Sequence, residues 1–396
     1  MQKFQYSRKK VLLSYSLVFI FYYLFYKLNT YLRYPFLRIG DAWFDRKFDD
    51  TYQVLNSAKC YATIGRSIYD QDICIYLYGS PLLDLINFIG VHPVNINFIG
   101  ELFLVINIII FSYFSVCAHY KYGARRTLLC LLIFISPPFH YLIERGNFDT
   151  LIIFLLVVAA ACISKGKFLF GNIFLGIASL FKFYTLPVLL IYLLILKFSK
   201  SKHLKFHLFL TLIFASLVLR DYVRIKGILG SGTGGYGGTF GLRSFALYAN
   251  HLSNSFNTNF VFILTMLSFT LIVLVMLFAF KLSKPIFSKL HSFPDVIQLI
   301  FGSQIIVCYL ITINNDYRLS ILGIFLSALL IRSPMNSRVE RMILIFGIAS
   351  IWLSYPTWIL QVLGDLLLFI TICLMIFFML RSHLELKISK LYGNSP

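Results

Sequence analysis

Apolar residues in this chain come in long unbroken runs, and charged residues stand almost wholly between those runs. In lipid, only helices or closed barrels satisfy every backbone group. Barrel strands alternate apolar and polar positions, whereas these runs are continuous, so the chain is expected to form a bundle of helices. Charged residues make up 13% of the sequence, against roughly 25% for a soluble domain. The fold class expected is therefore an all-α polytopic membrane protein, a single transmembrane domain over residues 1–396.

Apolar runs at 11–28, 96–118, 127–143, 149–163, 168–181, 184–197, 206–219, 259–280, 296–313, 319–331, 342–356 and 359–380 predict about twelve membrane-spanning helices, within a range of ten to thirteen. A full crossing needs about 20 residues. The runs 168–181 and 184–197 fall short of that, and they predict half-helices meeting at Lys182. The first run has no small-residue cleavage site and reads as a span rather than a cleaved signal.

Basic residues give the orientation. Lys3, Arg8, Lys9 and Lys10 precede the first run, and every second loop thereafter is basic: Lys121 to Arg126, Lys165 and Lys167, Lys197 to Lys205, Lys281 to Lys289, Arg332 to Arg341, and Arg381 to Lys390. Both termini are expected in the cytoplasm, with the chain in a bacterial plasma membrane. The net charge of +20 is spread over these short loops with no basic face or reading motif, which argues against nucleic acid as a partner. Two large segments fall on the opposite side. Residues 29–95 form a first outer loop carrying Asp41, Asp45, Asp49 and Asp50, with an amphipathic helix expected from about Asp50 to Gly65. Residues 220–258 form a second, with a glycine-rich run at 230–238 that suits either a mobile cover or a plain linker.

Cys117, Cys130, Cys162, Cys308 and Cys373 lie in apolar segments and read as small hydrophobes. Cys60 and Cys74 share the first outer loop and pair there if it faces an oxidising compartment; two free thiols are the alternative. No ligand set implies a metal or a cofactor.

The ionisable residues that interrupt the runs gather on the outer side, where such groups mark functional sites by default. Asp49-Asp50 precede the loop helix; Asp50, or Thr51, caps it, or one of the two acids serves as a general base. Glu144-Arg145-Gly146-Asn147-Phe148-Asp149 joins two runs and holds more charge than a helix turn requires. Arg145 suits a bidentate grip on phosphate. Lys182 sits between two apolar runs, where a lysine at the bilayer centre costs about 2.5–3.5 kcal/mol unless it snorkels or finds an anion. Asn314-Asn315-Asp316-Tyr317-Arg318 and Arg220-Asp221-Tyr222 are further boundary clusters, each explicable by a local Asp–Arg pair. The outer histidines His92, His140 and His251 read as hydrogen-bonded structural residues. Together these groups fit glycosyl transfer from a lipid-linked phosphosugar. Cations would stabilise the leaving phosphate, and a carboxylate would take the acceptor's proton.

At these residues the chain resembles the integral-membrane glycosyltransferases of the GT-C superfold, most closely glycosyltransferase family 87, the polyprenol-phosphate-mannose-dependent type. Asp49-Asp50 with Tyr52, Ala58, Gly65 and Tyr69 is similar to that family's first-loop pattern. Tyr78-Gly79-Ser80-Pro81-Leu82 resembles its Tyr-x-Pro-Pro-Leu segment, with Gly79-Ser80 in place of the expected Pro. Arg145-Gly146-Asn147 followed by Gly171, Gly176 and Lys182 is similar to its Gly-Asn helix start and downstream glycine-rich helix ending in Lys. Asp316-Tyr317-Arg318-Leu319 resembles a late Tyr-Arg segment. The likeness spans roughly residues 40–330.

The resemblance implies a base at Asp50 or Asp49, inversion at the anomeric carbon, and a polyprenyl-phosphate hexose donor, mannose-like, used outside the cytoplasm on a lipid or glycan acceptor. Arg145, Lys182, Arg318 and Arg220 are expected at the donor phosphate. Glu144, Asn147, Tyr78, Asp316 and Tyr317 are expected at the sugar or acceptor. A polysaccharide polymerase and a lipid or glycan flippase are the competing readings.

Overall fold

The structure is a computed structural model that describes residues 8–32, 48–64, 78–198, 204–229, 239–240, 263, 267, 270, 292–311, 314–315, 318–332, 337–353 and 358–391. These residues are helical throughout, apart from turns and one two-residue antiparallel pairing. In chain order the helices are α1 (Arg8–Leu32), α2 (Asp49–Ile64), α3 (Ser80–Ile89), α4 (Ile96–Tyr122, led in by a 3-10 turn at Pro93–Asn95), α5 (Ala124–Phe134), α6 (Pro137–Glu144), α7 (Asp149–Ser164) and α8 (Phe168–Phe181). They continue as α9 (Leu186–Phe198), α10 (Leu204–Leu229), α11 (Phe293–Ile311), α12 (Leu319–Ile331), α13 (Arg338–Leu353) and α14 (Trp358–Leu391). The strands β1 (Thr239–Phe240) and β2 (Asn314–Asn315) pair with Thr239 opposite Asn315 and Phe240 opposite Asn314.

Helix α12 is the axis of the bundle. Its sequence is apolar on every face, and every one of its residues is buried. Helices α4, α5, α6, α11 and α13 pack around it. Gly323 allows one of these contacts, because a Cβ there would lie 2.4 Å from the Phe139 ring. At its C-terminal end the orphan carbonyls meet cations: Arg126 Nη1 donates to Leu330 O at 2.7 Å and Lys121 Nζ to Ile331 O at 3.4 Å. Arg332 caps that end and pairs with Asp295 at 2.8 Å and Glu340 at 3.4 Å. Arg318 caps the other end, about 20 Å away at 1.5 Å per residue over 13 residues.

Among the described residues, four helical stretches are long and apolar enough to cross a membrane: Lys9–Leu28, Pro93–Tyr122, Phe293–Leu310 and Leu360–Met379. The pair α5–α6 makes a fifth if it is read as one span bent by 48°. The bend has a plain cause, since Pro137 and Pro138 lack the N–H groups that would continue the helix. Several expected spans form shorter apolar helices, with 16 residues in α7, 14 in α8, and 13 each in α9 and α12. Each is below the roughly 20 residues of a straight crossing. The run 259–280 lies almost wholly outside the described residues, as does the glycine-rich run 230–238.

The break expected at Lys182 is present: α8 ends at Phe181, Lys182 is extended, and a 3-10 turn leads into α9. The loop helix expected from Asp50 to Gly65 is α2, starting one residue earlier. Cys60 on it is disulfide-bonded, while Cys74 lies outside the described residues. Cys117, Cys130, Cys162, Cys308 and Cys373 form no disulfide.

Replacing Gly323 with Ala is expected to destabilise the bundle by about 1–3 kcal/mol through overpacking against Phe139. Thermal unfolding in detergent measures this. Adding Phe139→Leu should recover part of the loss, and an unchanged Tm for Gly323→Ala would contradict the packing described.

Candidate functional site

The start of α2 docks onto the turn between α6 and α7. A helix end leaves its last carbonyls without partners. Here Phe48 N donates to Glu144 O at 3.0 Å and Asp50 N to Arg145 O at 3.1 Å. The buried Thr51 hydroxyl donates to Gly146 O. Close approach depends on glycine. Gly146 has φ +57°, and a Cβ on it would stand 2.6 Å from Thr51 Oγ1. Phe48 itself adopts φ 61°, a strained value for a bulky residue, and its ring fills the space a side chain at Gly100 would take. This docking sets Asp50 directly over the turn.

Asp50 Oδ1 accepts from Arg145 Nε at 2.7 Å and from Nη2, and its Oδ2 accepts from Asn147 Nδ2. Arg145 Nη1 also donates to the Tyr141 hydroxyl at 2.5 Å. Burial works against the guanidinium charge, but the Asp50 carboxylate outweighs it and, with Tyr141, raises the Arg145 pKa above its ordinary value. Arg145 therefore stays charged at any working pH.

The second half of the site is built on Asp149, in the first turn of α7. Asn147 Oδ1 accepts from the Asp149 backbone N–H at 2.8 Å, which fixes the start of the helix. The Asp149 carboxylate is 1% exposed. Its Oδ1 accepts from Lys182 Nζ, and its Oδ2 faces Arg318 Nε at 3.4 Å. Tyr78 joins the two halves: Lys182 Nζ donates to its hydroxyl at 3.0 Å, and that hydroxyl donates to Asn147 Oδ1 at 3.4 Å. Lys182 lies 4.3 Å from the centre of the Tyr78 ring, and the Arg318 guanidinium lies 4.8 Å from the centre of the Tyr184 ring. One continuous polar network thus links α2, the α6–α7 turn, the start of α7, the α8–α9 break and the start of α12.

The expected site residues fall into three groups. Asp50, Arg145, Asn147, Tyr78, Lys182 and Arg318 are all members of the network. Asp49, Glu144 and Arg220 are not drawn into it by the contacts above. Asp49 Oδ2 is held by Gln53 at 2.7 Å in an exposed position. The Glu144 carboxylate lies 3.8 Å from His140 and is 41% exposed. Arg220 is half-exposed and lies 3.7 Å from Asp221. Asp316 and Tyr317 lie outside the described residues.

One expectation needs correction: Asp50 is not the cap of α2, because it sits inside the first turn and its carboxylate is taken up by Arg145 and Asn147. Lys182 does find an anion, since it shares Asp149 with Arg318, while Arg145 pairs with Asp50.

Sequence reasoning missed Asp149 as the centre of the network, and with it Tyr141 and Tyr184. It also missed Asp221, whose Oδ2 accepts from Ser80 N at 2.8 Å and Ser80 Oγ at 2.6 Å and so holds the start of α3 beside Tyr78. Asp149 carried one readable signal, an acid at the head of an apolar run. Neither a protein-family model, nor a curated protein, nor a solved structure matches this chain.

Asp149→Asn is expected to destabilise the protein by about 3–5 kcal/mol, because it strands two buried cations. Asp49→Asn should change stability by no more than about 0.5 kcal/mol. Thermal unfolding of the two variants in one detergent compares them directly. Equal Tm values would contradict the pairing.

Proposed function

We propose that the chain is an inverting membrane glycosyltransferase that moves a mannose-like hexose from a polyprenyl-phosphate donor to a lipid or glycan acceptor. In this reading it is GT-C-like, with about twelve spans, and works on the non-cytoplasmic face of a bacterial plasma membrane. The observation that carries the reading is convergence: an outer-loop acid and three cations from separate helix ends meet in one network. Among the described residues, Lys182 and Arg318 share the Asp149 carboxylate and Arg145 pairs with Asp50.

In the reaction proposed, the acceptor oxygen bonds to the anomeric carbon on the face opposite the phosphate. The bond between that carbon and the phosphate oxygen breaks, and its electron pair leaves on the polyprenyl phosphate. The acceptor's proton passes to Asp50. Arg145 and Asn147 orient the Asp50 carboxylate. Lys182 and Arg318 stabilise charge gathering on the leaving phosphate, where preorganised cations in a water-poor site have most effect. Tyr78 and Asn147 supply hydrogen bonds to the sugar. Asp50 rather than Asp49 is the base in this reading, since Asp49 is turned toward Gln53.

A flippase remains the second reading on one observation. The Asp149–Lys182 pair is sealed from solvent, as polar relays inside transporter bundles are. Product formation separates the two.

Protein reconstituted in lipid with a polyprenyl-phosphate hexose and an acceptor extract is expected to form a glycosylated product. Asp50→Asn should lower the rate by about 10²–10⁴-fold, while Asp49→Asn leaves it close to the parent. Size-exclusion profiles and Tm values control for folding. Turnover with a nucleotide sugar alone, or full activity in Asp50→Asn, would contradict the reading.

A further inference from the structure

Helix α3 has a buried side and an exposed side. Leu82, Leu83 and Ile86 are buried, and α3 packs against α2 and α8. The Asn87 side chain donates to Ala58 O at 2.7 Å, which fixes the helix's rotation on α2. The exposed side presents Leu85, Phe88 and Ile89, with Asp84 at its polar edge next to Asn87. Further along the chain Val94 and Phe98 are exposed as well; Phe88 is 89% exposed and Val94 84%. Large apolar side chains grouped this way on a helix face mark a surface that something covers.

The chain path identifies the cover. Gly90, with φ 74°, ends α3, and only residues 90–92 separate α3 from the apolar stretch Pro93–Tyr122. Three residues reach about 10 Å at most. The headgroup region on each side of a bilayer is about 5–8 Å deep. If that stretch crosses a membrane, α3 cannot stand clear of the surface. Phe98 is exposed at the head of that stretch, whose exposed side continues through Leu102 and Ile109.

We propose that α3 lies in the membrane surface, with Leu85, Phe88 and Ile89 buried among the acyl chains of the leaflet in which α4 begins. A helix seated this way sinks its apolar face about 5–10 Å into the boundary between headgroups and acyl chains. Because α3 starts two residues after Tyr78, its seat also fixes the height of the polar network relative to the lipid surface. The inference uses only the chain path and the exposed side chains, so it stands apart from the catalytic reading.

Its test is a nitroxide on Phe88→Cys, with Cys117 and Cys162 changed to Ser, in full-length protein in nanodiscs of phosphatidylethanolamine and phosphatidylglycerol. A second label on Asn56→Cys, an exposed polar position of α2, serves as the reference. The ratio of relaxation by oxygen, which concentrates in lipid, to relaxation by a water-soluble nickel chelate reads depth. The expected result is a higher ratio at 88 than at 56, placing the label about 5–10 Å below the phosphates. Equal ratios, or greater access of the nickel chelate at 88, would overturn the proposal. So would a label at 88 shielded from both reagents, as under a second copy of the chain.

Discussion

One half of the site, the meeting of Lys182 with Arg318, depends on a single buried carboxylate. Asp149 is closed off from solvent and is met by Lys182 on one oxygen and Arg318 on the other. Removing an ion from water costs several kcal/mol, so a charge buried this deeply persists only with a partner. The converse holds for Lys182, which is 4% exposed between two apolar helices. The three groups come from the start of α7, the α8–α9 break and the cap of α12. The charge requirement therefore ties three helix ends together at one end of the bundle. A phosphate arriving there would meet cations that are already oriented.

The remaining half of the site depends on backbone rather than charge. The orphan carbonyls at the end of α6 take hydrogen bonds from Phe48 and Asp50, and the start of α2 thereby delivers a carboxylate to Arg145. Gly146 and Gly100 make room for this docking. The opposite end of α12 shows the contrast. There, arginine and lysine satisfy terminal carbonyls and Arg332 joins two acids, an arrangement that closes a helix end. Charge is placed at both ends of the axis, and among the described residues the Arg318 end joins Asp50, Arg145, Lys182 and Asp149 in one network.

Much of the local structure was legible in the sequence, because it rests on short-range causes. The helical bundle follows from unbroken apolar runs. The bounds of α2 follow from acids ahead of an amphipathic stretch, and the break at Lys182 from a charge and a nearby Pro between short runs. Arg145, Lys182 and Arg318 stood out because an apolar helix has no use for them. Their partners were not legible, since those contacts join residues 95, 33 and 169 positions apart. Nothing local announces that Asp149 faces Lys182 rather than water, or that Asp49 and Asp50, adjacent in sequence, point to different neighbours. Of the expected spans, α7, α8, α9 and α12 form as apolar helices shorter than a straight crossing.

The central claim is that Lys182 and Arg318 receive the phosphate of a lipid-linked sugar. An experimental map of the protein with polyprenyl phosphate bound tests it most directly. The account predicts phosphate oxygens at charge-assisted hydrogen-bond distance, about 2.7–2.9 Å, from Lys182 Nζ and the Arg318 guanidinium, on the same side as Asp50. A phosphate seated away from both cations, with the Asp149 network intact beneath a vacant surface, would contradict it.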